Sequence, residues 1–289
     1  MNLHDTYCLK DGDLAVLVSR RGGSLRGLDF AGNSVMIPAG GPLGDMANFP
    51  LVPFGNRIEF NRFQLNNRTY AFRPNSADPF YLHGDGWLCD WSLVAFEGTS
   101  IELALQHHPD ELSPYDYSAW QRISVDGNAV TFELSVTNDA EETMPFGHGQ
   151  HPFFVRTPAM RITASVREYW SERTGHLPGP KLPAPDDLDF QQGSGLPRRF
   201  INNAFGGWDG TALIAWPELE ITAAIDASPA HDVLMIYAPT ERDDFFCLEP
   251  MTHLPNAHQM QEFGGMTLLG HAETLHSQMT IQFRRQDNG

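Results

Sequence analysis

Two segments of the chain alternate apolar and polar residues with a period of two. In segment 129–137 every second residue is apolar: Val130, Phe132, Leu134 and Val136. Segment 277–285 repeats the pattern with Met279, Ile281 and Phe283. This period is typical of a β-strand with one buried face. Asp126-Gly127, just before the first segment, is a hairpin-turn signal. Both segments are therefore predicted to be strands.

Shorter apolar stretches predict further strands, and helix is nearly absent. These strands are predicted at 13–19, 92–97, 100–106, 118–125, 160–166, 212–216, 219–225, 232–237 and 244–248. Segment 255–263, which opens with Pro255, is the best helical candidate, at about two turns. Many closely spaced strands with so little helix indicate an all-β protein, a large antiparallel β-sandwich or a barrel.

Two stretches are predicted to be long loops, and neither resembles a domain linker. Segment 38–56 is rich in Gly, Pro and Asn, and segment 174–199 contains five prolines and an acidic run. Loops of this length in a compact protein tend to form functional rims or lids. Because strand patterns of the same kind resume after each, residues 1–289 are predicted to form a single domain.

Composition and charge narrow the classes of partner. The chain has 289 residues, of which 41% are hydrophobic, enough for a sizeable core. It carries 19 Lys and Arg against 36 Asp and Glu, a formal net charge of −17. Such a charge repels nucleic acid and anionic membrane surfaces. Neither nucleic acid nor a membrane is therefore expected as a partner, and the chain is expected to be a monomer or a homodimer. Lacking a signal-peptide pattern, it is expected to be cytoplasmic.

Several common chemistries lack their sequence signals. The three cysteines, Cys8, Cys89 and Cys247, are widely spaced and indicate neither a disulfide framework nor a zinc site. Only two lysines are present, Lys10 and Lys181, and neither has a neighbourhood suited to Schiff-base chemistry. Phosphate-binding loops, dinucleotide fingerprints, HExxH and G-x-S-x-G are absent from the sequence. The common nucleotide-binding and hydrolase functions therefore lack support in the sequence.

Polar, titratable residues gather instead in five clusters, at 53–58, 82–87, 146–154, 202–210 and 247–253. His151 lies between Gln150 and Pro152, and this proline indicates a sheet edge or bulge that can aim a side chain into a cleft. A histidine can exchange a proton near neutral pH. The alternative is a core histidine that bonds to a backbone carbonyl.

Glu249 follows the apolar run 245–248 and is predicted to lie at the end of a buried strand. Burial raises the pKa of a carboxyl group and suits it to general-base work. Alternatively, an internal arginine holds the carboxylate, and Arg57 is the obvious partner. The two interpretations are compatible.

His83 and Trp87 lie on a glycine-interrupted turn that suits a sugar pocket, the imidazole binding hydroxyls and the indole covering the ring. Trp87 and Trp91 are otherwise core aromatics, the commoner fate of tryptophan. His148 is three residues from His151, so on a regular strand the two would face opposite ways. It is predicted to be structural.

Taken together, the clusters resemble the aldose 1-epimerase (galactose mutarotase) family in its bacterial branch. The similarity runs from Pro53 to about Met279 and includes MPFGHGQHPFF, FGGWDG and FFCLEP in the expected order. The resemblance implies a β-sandwich of the supersandwich type and an open sugar-binding cleft, with no essential metal or organic cofactor. It implies that the substrate is a free hexose such as galactose or glucose, whose α and β anomers are interconverted.

By the same resemblance, Glu249 is the base that removes the proton of the C1 hydroxyl, and His151 is the acid that protonates the ring oxygen. Arg57 and His83 would bind the sugar near the reacting atoms. Asn202 falls at a sugar-hydroxyl position where the family usually has Asp. Trp120 and Asn256 likewise replace residues that are acidic in many relatives.

Three alternatives remain. A hexose-6-phosphate 1-epimerase would use the same His and Glu but needs arginines for the phosphate, and the net charge is unfavourable. A cupin-like metalloenzyme would bind a divalent ion through a set of three histidines and a carboxylate: His83, His148, His151 and Glu249. A non-catalytic sugar-binding protein would need no acid–base pair.

Overall fold

Residues 6–286 are described by a computed structural model, and they contain strands and short 3-10 turns but no α-helix. The strands in chain order are β1 Thr6–Asp11, β2 Leu14–Ser19, β3 Ser24–Phe30, β4 Asn33–Met36, β5 Pro50–Leu51, β6 Arg57–Ile58, β7 Arg62–Leu65, β8 Arg68–Ala71, β9 Tyr81–Leu82, β10 Ser92–Phe96, β11 Ser100–His107, β12 Tyr117–Asp126, β13 Ala129–Asn138, β14 Met144–Phe146, β15 Gly149–Gln150, β16 Phe153–Val155, β17 Arg161–Ala164, β18 Glu168–Arg173, β19 Leu177–Leu182, β20 Ile201–Gly206, β21 Thr211–Trp216, β22 Ile221–Ala227, β23 Val233–Ala238, β24 Phe245–Met251, β25 Thr267–Leu269 and β26 Thr274–Arg285. The 3-10 turns are Glu59–Asn61, Asp186–Leu188, Pro217–Leu219, Ala257–Gln259 and Gln261–Gly265.

Two large antiparallel sheets make up the fold. The main path of the twelve-stranded sheet is β1-β2-β3-β4-β16-β24-β23-β20-β18-β19, and β15 and β5 pair beside β24. The eight-stranded sheet has the order β10-β11-β12-β13-β26-β22-β21-β17. Three two-stranded ribbons, β14-β25, β6-β9 and β7-β8, complete the described part. The predicted all-β sandwich is confirmed.

The main core lies between the two large sheets, and aromatic side chains join them. Phe30 of β3 stacks on Phe283 of β26 with ring centroids 5.4 Å apart, and Phe154 of β16 lies 6.2 Å from Trp216 of β21. Because side chains alternate along a strand, each strand of the larger sheet also presents residues to the opposite face. That second face carries the cavity described below.

Strand β24 is buried on both faces, which explains its continuous apolar sequence. Phe246 and Leu248 belong to the main core between the sheets. Phe245, Cys247 and Met251 belong to a second cluster on the outer face of the sheet. Segments 37–56 and 82–88 cover this second cluster with Met46, Phe49, Leu51 and Trp87. The predicted loop at 38–56 thus builds one wall of the candidate site.

The predicted strands agree with β2, β10–β13, β17, β21–β24 and β26 to within about three residues at each end. Two other predictions were wrong. Segment 174–199 is not loop throughout, because β19 pairs with β18 at the edge of the larger sheet. Segment 255–263 forms 3-10 turns instead of a regular helix, since Asn256, Glu262 and Phe263 have positive φ. Among residues 6–286, none of the helical segments is long and apolar enough to cross a membrane.

Candidate active site

Glu249 lies on the outer face of β24, two residues beyond Cys247, and is almost completely buried. The strand continues to Met251, so Glu249 lies inside it and not at its end as predicted. Cross-strand pairing places Cys247 opposite Phe153 on one side and Tyr237 on the other. Tyr237 in turn is paired with Asn202. Phe153, Tyr237 and Glu249 form the floor of a cavity of about 290 Å³, and Asn202 lines the cavity farther along the sheet.

His151 reaches the same cavity from the break between β15 and β16. Its backbone N–H donates to the Phe49 carbonyl, so the segment is fixed to the covering loop at this point. The imidazole packs against the rings of Phe49 and Phe153, each with a centroid distance of 4.7 Å. Its Nε2 atom lies 3.4 Å from Glu249 Oε1. The structure thus brings the two residues predicted as acid and base into direct contact.

Burial acts on both members of this pair. It lowers the pKa of His151 and raises the pKa of Glu249. The positive charge of Arg57 partly opposes the rise in the pKa of Glu249. At neutral pH the pair therefore holds one proton, and burial favours a neutral imidazole beside a protonated carboxyl. Such a pair can accept a proton at one atom and release one at the other with no change in total charge.

His83 lies beside His151, with ring centroids 5.1 Å apart. It has a left-handed backbone with φ of 60°, and reciprocal bonds hold it to Asn56. The His83 backbone N–H donates to the Asn56 carbonyl, and the Asn56 backbone N–H donates to His83 Nδ1 at 3.1 Å. Since Nδ1 accepts, the neutral ring carries its proton on Nε2. Burial lowers the pKa of His83, and the charges of His151 and Arg57 act in the same direction.

Arg57 lines the cavity, but its ion pair differs from the predicted one. Its Nε and Nη2 atoms both bond Asp78 Oδ2, each at 2.8 Å. The alternative in which Arg57 directly holds the Glu249 carboxylate is therefore wrong. The cause is local pairing, because β6 pairs with β9, which directly follows the turn that holds Asp78. Arg57 still acts on Glu249 through its charge.

Asn202 stands on the far side of the cavity from His151. Its Nδ2 donates to Glu172 Oε1 at 3.3 Å, and the same oxygen bonds His176 Nδ1 at 2.5 Å. His176 also lines the cavity. Sequence reasoning missed both residues. Glu172 lies on β18, a strand that the sequence pattern did not predict, and His176 lies in the proline-rich segment 174–199 that was predicted to be loop.

The remaining aromatic and histidine candidates lie in three different environments. Trp87 lines the cavity, with its indole N–H directed to the Leu82 and Gly84 carbonyls. Trp91 is fully buried in the main core. His148 is buried outside the cavity, and its Nδ1 lies 3.2 Å from Ser277 Oγ.

A metal set built from His83, His148, His151 and Glu249 is therefore not assembled. The one group of described residues that could hold a cation is His151, Cys247 and Glu249, whose ligand atoms lie within 4.8 Å of one another. Burial raises the pKa of the Cys247 thiol and of Glu249, so a cation here would have to displace both protons.

Comparison with solved structures gives the class of protein. The chain superposes with a TM-score of 0.92 on a crystal structure from Escherichia coli K12 provisionally assigned as an aldose 1-epimerase, at 36% identity over 97% of this chain and 99% of the other. A galactose mutarotase-like protein from Clostridium acetobutylicum gives a TM-score of 0.81 at 18% identity, with coverage of 96% and 94%. The fold is that of the galactose mutarotase-like proteins.

The chain belongs to the aldose 1-epimerase family, whose model matches residues 5–282. It is also 37% identical over 286 residues to the uncharacterised protein YphB of Escherichia coli K12, which covers 96% of this chain and 98% of the relative. The resemblance stated from the sequence motifs is confirmed.

Proposed function

We propose that this protein is an aldose 1-epimerase that interconverts the α and β anomers of a free hexose such as galactose or glucose. The observation that carries the proposal is the 3.4 Å contact between His151 Nε2 and Glu249 Oε1 on the floor of the cavity. The cavity, at about 290 Å³, is at the small end of ligand pockets and suits a monosaccharide.

Ring opening needs a base and an acid at neighbouring oxygens of the sugar. Glu249 as carboxylate removes the proton of the C1 hydroxyl, and His151 as imidazolium protonates the ring oxygen. The bond between C1 and the ring oxygen breaks as the C1 carbonyl forms. The open aldehyde rotates about its C1–C2 bond and closes on the other carbonyl face, with the two residues exchanging roles.

Opening of the ring leaves a neutral His151 and a protonated Glu249, which is the form that burial favours without substrate. The closed sugar requires the charged form of the pair, with the proton on His151. We propose that Arg57 supports that form through its charge on Glu249. His83, with its proton held on Nε2 by Asn56, would donate a hydrogen bond to a sugar oxygen.

The charges around the cavity favour an unphosphorylated sugar. Arg57 is the one arginine or lysine among the described lining residues, and Asp78 already engages it. Near the mouth, Arg173 is paired with Glu59 at 2.6 Å. A phosphate would have to displace these carboxylates, and the net charge of −17 adds a general repulsion.

The experiment is polarimetry or NMR exchange on freshly dissolved α-D-galactose and α-D-glucose, with uncatalysed mutarotation subtracted. Wild type is expected to accelerate at least one of them. Glu249→Gln and His151→Asn are each expected to lose roughly 10²–10⁴-fold in kcat while retaining fold and sugar affinity, because each removes one proton transfer. Glu102→Gln, on the eight-stranded sheet, is the matched control.

Near-full activity of Glu249→Gln would refute its role as the base. A faster reaction with glucose 6-phosphate than with glucose would favour the hexose-6-phosphate 1-epimerase. Sugar binding without acceleration of any sugar would identify a binding protein that has kept the cavity.

A further inference from the structure

The carboxylate of Glu172 controls two side chains at the mouth of the cavity. Its Oε1 atom accepts hydrogen bonds from Asn202 Nδ2 and His176 Nδ1. Trp170 of β18 is paired with Ala204 of β20. Glu172 and Asn202 lie two residues further along these two strands, on the same face of the sheet. The contact therefore comes from adjacent strands of the larger sheet and not from a flexible loop.

This arrangement fixes the hydrogen-bonding character of both side chains. A carboxylate only accepts, so Asn202 turns its amide nitrogen toward Glu172 and keeps its Oδ1 as an acceptor for another partner. His176 directs its Nδ1 to Glu172, which leaves Nε2 for another partner. Both side chains line the cavity.

We propose that Glu172 is a positioning residue that orients Asn202 and His176, and that His176 thereby extends the sugar-hydroxyl contact of Asn202 into a two-residue subsite remote from C1. The subsite recognises hydroxyl groups as donors to the Asn202 Oδ1 acceptor that Glu172 leaves free. This inference rests on the proposed function, whose substrate it restricts to aldoses with free hydroxyls at that end of the molecule.

The location of the subsite supports its separation from the chemistry. Asn202 lies two strands from Cys247, through Tyr237, which is roughly 10 Å across the sheet. Phe200 packs between His176 and Tyr237, with centroid distances of 5.2 and 5.9 Å, and adds an aromatic surface beside the subsite. A sugar bound by Glu249 and His151 at C1 would direct its other hydroxyls toward this side.

The hairpin that carries Glu172 and His176 is fixed to the opposite rim. Arg173, next to Glu172, bonds Glu59 Oε2 at 2.6 Å, and Asn256 Nδ2 lies 3.2 Å from the same oxygen. The subsite is thus held on two sides, which limits the entropy lost when a sugar binds.

The position of the Glu172 carboxylate can be tested by exchanging the carboxylate and the amide between residues 172 and 202. Asn202→Asp alone would place two carboxylates at the present 3.3 Å contact, whereas Glu172→Gln with Asn202→Asp restores one carboxylate beside one amide, with their places exchanged. We expect each single substitution to raise KM about 10-fold, with a smaller change in kcat, because a charge-assisted hydrogen bond is lost. The double variant should recover most of that loss. Glu168→Gln, on the same strand but paired with Lys181, is the matched control.

A series of deoxyglucoses, each lacking one hydroxyl, then locates the contact. For wild type, the sugar that lacks the recognised hydroxyl should bind about 10-fold more weakly, and Glu172→Gln should not weaken it further. Every other sugar in the series should bind more weakly to Glu172→Gln than to wild type. His176→Ala, at the exposed hairpin tip, should weaken the binding of the same sugars. It replaces Glu172→Gln in this test if that variant does not fold.

Sugar Kd values in a Glu249→Gln background, measured by calorimetry, separate this proposal from the proposed function. Wild type that anomerises no sugar would refute the function, while the binding series would still report on the subsite. If Glu172→Gln and His176→Ala bind every sugar as Glu168→Gln does, the subsite proposal is wrong. Equal weakening of the whole series, or a fall in kcat alone, would also overturn it.

Discussion

The rings of Phe49 and Phe153 exclude water from the His151 imidazole, and Glu249 is enclosed on a strand buried on both faces. The two pKa values move apart for the same reason, burial of a charge, because one group is charged with its proton and the other without it. The pair consequently titrates as a unit, holding one proton over a wide pH range.

The single proton held by the His151–Glu249 pair predicts the pH profile of kcat/KM. Burial lowers the pKa of His151 to about 3 and raises the pKa of Glu249 to about 8. The singly protonated pair should be active, so kcat/KM is expected to be flat from about pH 5 to 7 and to fall as pH rises through about 8. Stopped-flow polarimetry, with the uncatalysed rate subtracted, provides the measurement.

An ascending limb near pH 6.5, the ordinary pKa of histidine, would contradict this account of His151. The Glu102→Gln control should retain the descending limb near pH 8, whereas residual activity of Glu249→Gln should lack it.

Only part of the site could be predicted from local sequence. His151, Glu249 and Trp87 lie within compact motifs, and the structure brings them to one cavity. The Arg57–Asp78 pair and the Glu172–Asn202 contact depend on how distant strands meet, at separations of 21 and 30 residues. No periodicity or spacing in one sequence specifies such contacts.

The same distinction holds for whole elements. Strands β13 and β26 have one face on the core and show alternation, so the sequence identifies them. Strand β19 has the sequence LPGPKL, which predicts loop, yet it forms as an edge strand because only one of its sides must pair. The helix predicted at 255–263 does not form, because Asn256, Glu262 and Phe263 have positive φ. The Gln259 side-chain amide bonds the Glu59 and Arg62 carbonyls, which lie far away in the sequence.

The turn after β9 predicts a strong dependence on one glycine. Gly84 has φ of 67°, and a Cβ there would lie 2.2 Å from the Val52 carbonyl oxygen. That oxygen cannot easily move, because it accepts the N–H groups of Asp85 and Gly86. Gly84→Ala should therefore cost about 3 kcal/mol of unfolding free energy and displace His83, lowering activity. Urea unfolding and anomerisation rates measure the two effects.

Gly12→Ala is the matched control for Gly84→Ala, since Gly12 has a similar φ of 54° but no atom within 4 Å of the added Cβ. It should show only the backbone strain, about 1 kcal/mol, with full activity. Equal destabilisation by both substitutions would mean that the contact with Val52 is relieved without cost.

At the scale of the whole molecule, buried titratable groups oppose one another. Burial lowers the pKa values of seven histidines: His83, His107, His148, His151, His231, His253 and His258. Burial also raises the pKa values of Asp85 and Glu249 to about 8. Asp85 and Glu249 are the buried carboxyl groups among the described residues. Between pH 5 and 8 the buried groups should thus set the pH dependence of stability.

The sign of that dependence changes near pH 6.5. Below it, the unfolded chain takes up protons on histidines that stay neutral in the fold, so stability should fall by up to about 1.4 kcal/mol per pH unit for each such histidine. Asp85 and Glu249 release protons on unfolding at every pH between about 4 and 8. Above about pH 6.5 the histidines no longer outweigh this release, so stability should fall again as pH rises toward 8. Urea unfolding at pH 5, 6.5 and 8 should therefore show a maximum near pH 6.5. Stability that rises steadily from pH 7 to 5 would show that these histidines bind protons in the folded protein.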